Sequence, residues 1–580
     1  MHSDSQYKPR SYAVALAIAL LQGLTLSLLQ IDAEDYRWLE GHPGLHLALQ
    51  LTAIFAPPAA YVLSEWISTA RMWICVSILL AVLLAIGAHY GLRVHETGPG
   101  VFDFFPLLLV TFCLLFHALP FVQVYLESGS VVPTYARLFH FAWRNAVLLA
   151  LGVLFTGVTW LLLWVWAALF RMIGIDVFEV LFFHTPRFAL LLLALIFGIA
   201  YHLAGSTDKL TLALRQQLLV LLKWLAPLAV FILVAFSIAL AVKTPEILAS
   251  KKHVISATWL LWLTAITIYL FNAAYQDGTI REPYSKRLGQ ALRIAPAPLV
   301  FVTALAGYAL LVRVEAYGLT VWRVWGLFVL AVTLSYALGY TWAARRADPW
   351  LGGAGAVNTA IAAGIVGLLA LMSLPPLSPY RLAAMGMAHY IRVNPGKADR
   401  GSYSALRFDD GAYGRDELHR LAIDDGAGIP EEVRTVARNA EAATNPWAFA
   451  TERVRSPIRL DAFPAGHAIE VALQRAIETD ANVRSDPCNE MAPCLVLFVD
   501  LTGSGEPHAV LFAVGSTIAY RRDGMTWRRA AGAVATSGDC RPCQLSVIRE
   551  RLLQGDFRTK RPSWQQLEIG SHTYTFLPAN

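Results

Sequence analysis

Long apolar runs separated by short polar breaks repeat eleven times through the first two thirds of the chain. They lie near residues 11–30, 45–65, 73–93, 104–125, 146–170, 187–204, 217–242, 256–275, 294–313, 321–343 and 353–373. About 20 mostly apolar residues let an α-helix cross a hydrocarbon core of about 30 Å, and a helix satisfies its own backbone N–H and C=O groups where no water can. The pattern therefore predicts about 11 transmembrane helices over residues 1–373, with an even count still open. The stretch Ile173–His184 sets Asp176 and Glu179 among Val177, Phe178, Val180, Leu181, Phe182 and Phe183, which reads as an interfacial helix rather than a further span.

At Leu374 the pattern changes. Pro375-Pro376-Leu377-Ser378-Pro379 cannot continue a helix, so residues 374–400 read as a linker with a juxtamembrane helix over Tyr380–His389. Residues 401–580 read as a small α+β soluble domain. Arg415–Ile423 and Ala465–Thr479 have helical spacing; Leu495–Val499 and Ala509–Ala513 flank Thr502-Gly503-Ser504-Gly505 as a β-hairpin. Thr517–Arg522 and Thr526–Ala530 are further expected strands, Gln544–Leu553 a helix and Tyr574–Leu577 a closing strand.

Composition separates the same two parts. The chain is 56% hydrophobic and 15% charged, well under the roughly 25% charge of a soluble domain. From Leu374 onward 24 basic residues balance 24 acidic ones, so the net +6 belongs to the membrane part. A neutral tail without Lys/Arg runs argues against nucleic acid as a partner, since that binding needs concentrated positive charge.

Lys8 and Arg10 precede the first run, and Gln30-Ile31-Asp32 after it offers no small-residue cleavage site, so a retained first helix is expected. With a cytoplasmic N-terminus, the inner segments carry 13 Lys/Arg against 9 outside, in the sense of the positive-inside rule. An odd number of spans then puts the tail outside, in the periplasm of a Gram-negative cell. Cysteine usage agrees: Cys75 and Cys113 fall in spans, whereas Cys488, Cys494, Cys540 and Cys543 form two close pairs in the tail, as expected where disulfides persist. Three connectivities are open. Structural disulfides are favoured over thiol exchange at Cys540-Arg541-Pro542-Cys543 and over a four-Cys zinc site.

Ionisable groups within or bordering the spans are candidate sites, because charge in hydrocarbon is costly and usually faces a cavity or a partner. Lys223 is the deepest, with snorkelling as its plain explanation; Asp277, Asp176, Glu179, Glu65 and Asp103 border spans. Trp160, Trp164 and Trp166 read as an interface belt. Asp500, Thr502, Ser504 and Gly505 match the start of a calcium loop, but Leu511 stands where a bidentate Glu belongs, so a hairpin turn is expected. Asp424-Asp425-Gly426-Ala427-Gly428-Ile429-Pro430-Glu431-Glu432 imitates a kinase nucleotide box without its second glycine box, and reads as a turn before a helix with Pro at its first position. His140, His184 and His202 have no metal-ligand spacing, and no nucleophile elbow, Walker loop or dinucleotide fingerprint occurs. No catalytic, cofactor or metal residue is assigned.

Several strings have a family look: Phe271-Asn272-Ala273-Ala274-Tyr275-Gln276-Asp277-Gly278, Arg281-Glu282-Pro283, Ala316-Tyr317-Gly318-Leu319-Thr320, Ser378-Pro379-Tyr380-Arg381-Leu382 and Tyr413-Gly414-Arg415-Asp416. On these the chain resembles the domain of unknown function 4153 family of bacterial inner-membrane proteins. The resemblance implies a bacterial envelope protein and carries no reaction or catalytic residue with it.

The resulting expectation is a non-enzymatic inner-membrane accessory, sensing or interaction module, with the lipid bilayer and other envelope proteins or lipids as partners. The alternative is a transporter or lipid-handling protein, marked by a polar cavity at membrane depth containing Lys223 or Asp277. A membrane transferase using Asp176 and Glu179 is a third.

Overall fold

The computed structural model describes residues 12–32, 38–93, 101–206, 208–249, 256–280, 282–293, 295–345, 350–423, 429–446, 449, 459–464, 467–480, 488, 493–513, 517–524, 526–533, 545–559, 567–569 and 572–574. Among them eleven helices are long and apolar enough to cross a membrane. These are α1 (Tyr12–Ile31), α2 (Pro43–Val62), α3 (Ala70–Arg93), α4 (Val101–Ser128), α5 (Tyr135–Met172), α7 (Pro186–Gly205), α8 (Asp208–Ala249), α9 (Ala257–Tyr275), α11 (Pro296–Tyr317), α12 (Val321–Ala344) and α13 (Ala354–Met372). Two short helices join them, α6 (Val177–Phe183) and α10 (Lys286–Leu292). The Ile173–His184 stretch thus holds only α6, whose seven residues rise about 10 Å, a third of a crossing. An odd number of crossings puts the start of α1 and the end of α13 on opposite faces, called here the opening face and the tail face.

Lipid tails are as apolar as the side chains, so helices in a bilayer associate by close packing. The tightest pair is α2 with α3. Gly87 and Gly91, four apart on α3, meet α2 backbone to backbone: a Cβ at Gly87 would lie 2.4 Å from Ala48 Cα, and one at Gly91 would lie 2.2 Å from the Pro43 carbonyl oxygen. In the second half, α8, α9, α11 and α12 enclose a core around Phe271, Leu299, Val302, Ala337 and Tyr340.

Beyond α13 the chain does not leave the bundle. Helices α14 (Pro379–Val393), α15 (Arg400–Ser404), α16 (Gly411–Ile423) and α17 (Glu431–Ala442), with a π-turn over Ala405–Asp409, belong to one compact unit with the spans, Met1–Ala442. The division read from sequence near residue 400 therefore differs from the structural one at Ala442/Ala443. The physical reason is burial: Ile391, Leu406, Leu418 and Leu421 of these helices are fully enclosed.

The second unit, Ala443–Asn580, is built on a five-stranded sheet in the order β1-β2-β3-β4-β5. Its strands are β1 (Leu460–Phe463), β2 (Cys494–Val499), β3 (His508–Phe512), β4 (Thr517–Asp523) and β5 (Thr526–Ala533). β1 runs parallel to β2 and the other neighbours are antiparallel. α18 (Val471–Thr479) packs Leu473 and Ile477 on the face that carries Val496, Leu511 and Tyr520. α19 (Leu545–Leu553) packs Ile548 and Leu552 against Leu495, Leu497 and Val510 on the other. β2 is thus covered on both sides, which explains its continuous apolar run. A small hairpin, β6 (Leu567–Ile569) with β7 (His572–Tyr574), lies near the end of the chain. Cys488 and Cys494 are joined as a disulfide; Cys540 and Cys543 lie outside the described residues, as do Arg281 and Asp424–Gly428.

Candidate functional site

Three of the strings singled out in the sequence, Ala316–Thr320, Ser378–Leu382 and Tyr413–Asp416, come together on the tail face. Ser378-Pro379 opens α14, with Pro at the first helical position where its missing N–H costs nothing. The helix then lies across the α11–α12 turn. Tyr390 donates to the Ala316 carbonyl at 2.8 Å, and Arg323 caps the end of α11 by donating to the carbonyls of Tyr317 and Gly318. Gly318 takes φ +75°, and a Cβ there would lie 2.8 Å from Met387 Sδ, so glycine serves both the turn and the close approach.

The third string, Tyr413-Gly414-Arg415-Asp416 on α16, reaches the end of α3. His89 Nδ1 is 2.9 Å from the Ser373 carbonyl oxygen, and Nε2 is 3.1 Å from the Tyr413 hydroxyl. A carbonyl only accepts, so Nδ1 carries the proton and the neutral ring receives the tyrosine O–H at Nε2. One turn on, the Arg93 guanidinium lies 4.4 Å from the centroid of the Tyr413 ring and donates to Asp416 at 2.6 Å. Tyr90 and Tyr380 meet edge-on with ring centroids 5.9 Å apart. Glu417 ties α16 to Arg392 of α14 at 3.6 Å. This junction joins α3, the end of α13, α14 and α16 by hydrogen bonds, two ion pairs and a stacked cation.

Beneath it lies a buried acid. Asp410 is 2% exposed, stands between the π-turn and α16, and its Oδ2 has no hydrogen-bond partner. Burial pushes its carboxyl up to about 8, with the neighbouring Asp409 adding to the rise. π-turns cluster at functional sites, and this one is held by close packing: a Cβ at Gly414 would strike the Leu406 carbonyl at 2.1 Å.

The fourth string sits on the opening face. Tyr340 donates to Asn358 Oδ1 at 2.9 Å, and Asn358 donates to Asn272 Oδ1 at 2.6 Å, a buried chain linking α12, α13 and α9. The Tyr275 hydroxyl accepts from the Gly355 N–H at 3.3 Å, and the Tyr275 ring lies 5.7 Å from that of Tyr135. Arg215 approaches His140 at 3.3 Å.

The candidate residues read from sequence have local partners or face solvent. Asp277 accepts from the N–H and the hydroxyl of Thr279, at 3.0 and 2.6 Å, and so closes its own turn. Lys223 Nζ lies 5.6 Å from the ring centroids of both Trp224 and Tyr284; no ion pair joins it to Asp277. Glu179 in the first turn of α6 pairs with Arg171 at 2.7 Å, while Asp176 at the cap of the same helix is exposed. His202 hydrogen-bonds Tyr61 at 3.0 Å. Asp500 accepts from the backbone N–H groups of Thr502, Gly503 and Gly505 at 3.0, 2.8 and 2.7 Å, and these bonds hold its carboxyl below the usual range. Its oxygens face inward onto the turn. Among the described residues no group of three or more His, Cys, Asp or Glu could hold a metal ion. A cavity of about 310 Å³ does lie at membrane depth, between α1, α2, α4, α5 and α7, and neither Lys223 nor Asp277 lines it.

Sequence reasoning missed His89 and Arg93, because a residue's partner three hundred positions away leaves no local pattern. The available signal was a histidine inside an apolar span, which rarely goes unpartnered. The chain matches no family model, no curated protein and no solved structure. Fold and site together define a polytopic α-helical membrane protein that carries a small α+β unit.

Proposed function

We propose that this chain is a non-catalytic envelope protein of the bacterial inner membrane, its N-terminus cytoplasmic and its disulfide-bearing C-terminal unit periplasmic. It serves as an accessory, sensing or interaction module, the bundle presenting the α+β unit to partners on the outer side. The observation that carries this reading is the tail-face junction. Its conspicuous polar residues are consumed in fastening α14 and α16 to α3 and α13: His89 on Ser373 and Tyr413, Arg93 on Asp416. Such an arrangement holds helices in place. The excess of Lys/Arg on the N-terminal side and the Cys488–Cys494 bond support the orientation.

Two measurements on native membranes test it. A phosphatase reporter that folds only on the oxidising side, fused after Asn580, is expected to be active; activity only from a cytosol-dependent reporter overturns the orientation. Crosslinking followed by mass spectrometry is expected to join Ala443–Asn580 to another envelope protein. Turnover of a lipid-linked or periplasmic substrate by the purified chain would overturn the non-catalytic reading.

A further inference from the structure

The cavity between α1, α2, α4, α5 and α7 measures about 310 Å³. Its walls are hydrocarbon, with Ile18, Ile54, Leu115, Leu149 and Phe197 facing in. The polar side chains along it already have partners. The Gln22 amide donates to the Ile54 carbonyl at 3.1 Å. Asn145 exchanges hydrogen bonds with Gln123 at 2.7 and 3.4 Å, and Tyr61 holds His202. Apolar cavities of this kind stay dry, and a polar solute would have to break existing bonds to gain its own. The chemistry of the walls selects a hydrocarbon.

The cavity also reaches the outside of the bundle at the depth of lipid tails. Phe112 lines it and is 40% exposed; on the same stripe of α4, Leu109 is 49% and Phe105 61% exposed. That stripe faces the bilayer, whose abundant hydrocarbon is the acyl chain of glycerophospholipids, and mass action favours the most abundant ligand that fits. We infer that this cavity is a binding site for one acyl chain of a membrane glycerophospholipid, inserted beside Phe112 between α2 and α4. The assignment is independent of the function proposed above, since either an interaction module or a catalyst can hold a resident lipid.

The test uses the full chain in liposomes containing a phosphatidylethanolamine with a diazirine midway along one acyl chain. After irradiation, mass spectrometry maps the adducts. Adducts on the peptides containing Phe112–Leu119 and Phe197–Tyr201 are expected at about ten times the level at plainly lipid-facing positions such as Trp259 and Leu161, the ratio given by about 1.4 kcal/mol of preferential binding. Ile18→Phe and Leu149→Phe, which fill the cavity from different helices, are each expected to bring the wall signal down to that of Trp259 while leaving Trp259 unchanged. Wall labelling no higher than at Trp259 in the unmodified chain overturns the site, a measurement that needs no variant to fold. Preferential capture of a diazirine fatty acid or a diazirine polyprenyl phosphate, supplied in parallel liposomes, overturns the phospholipid as occupant.

Discussion

Asp410 carries the most consequential single ionisation outside the spans. Its folded value, about 8, lies above the unfolded value of about 3.9. The folded chain therefore binds this proton more tightly, and the stability it contributes is complete below about pH 4 and lost as pH rises toward 8. Between those limits the loss is at most about 1.4 kcal/mol per pH unit. Asp410→Asn keeps the shape without the ionisation. Unfolding temperatures measured from pH 5 to pH 8.5 are expected to fall with pH in the parent and to stay much flatter in the variant, with the variant the more stable at the alkaline end. Equal slopes would show that the carboxyl is not the titrating group. Nothing in the sequence marked Asp410 out from Asp409: its burial comes from packing of the π-turn and α16, which no local pattern encodes.

At the scale of elements, α2 shows how a bilayer helix tolerates proline. Pro58 lacks the N–H that would reach the carbonyl of Ile54 four residues back, and in hydrocarbon that oxygen cannot turn to water. Gln22 of α1 supplies the missing donor at 3.1 Å. Gln22→Leu is expected to destabilise the bundle by about 1–3 kcal/mol, the cost of a buried acceptor left bare. In a Pro58→Ala background, where the helix supplies its own donor, the same change is expected to cost clearly less. Thermal unfolding of the four chains in detergent gives the coupling, and an additive result would assign Gln22 to packing alone.

The spans themselves were legible, since a run of 20 apolar residues has few other meanings, and all eleven fall where the pattern put them. The glycine pair of α3 was equally visible, yet its partner α2 was not, because spacing within one helix does not name its neighbour. β1 went unseen for another reason. It is four residues long and pairs in parallel with β2 across a crossover containing α18, a connection that leaves no hairpin signal. For the same reason the tail-face junction could not be assembled from sequence, although three of its strings could be picked out.

For the whole molecule, the position of the unit boundary makes a direct prediction. A chain ended after Ala442 keeps α14 to α17 and is expected to unfold in detergent at nearly the temperature of the full chain. One ended after Arg400 loses α16 and α17, uncovers the face of α14 that carries Ile391, and leaves His89 and Arg93 without Tyr413 and Asp416. It is expected to unfold at a clearly lower temperature or to aggregate. The reverse order of stabilities would restore the boundary near residue 400.

The bond between His89 and Tyr413 spans 324 positions, and its two ends reach the membrane at different times. His89 arrives with the third crossing, whereas Tyr413 emerges only after the eleventh has been threaded. A nascent chain that stalls, skips a crossing or enters in the wrong sense cannot bring the two together. Closure of this contact therefore reports that the eleven crossings have all been threaded, and a protease patrolling the tail face would find α16 accessible only on molecules that had failed.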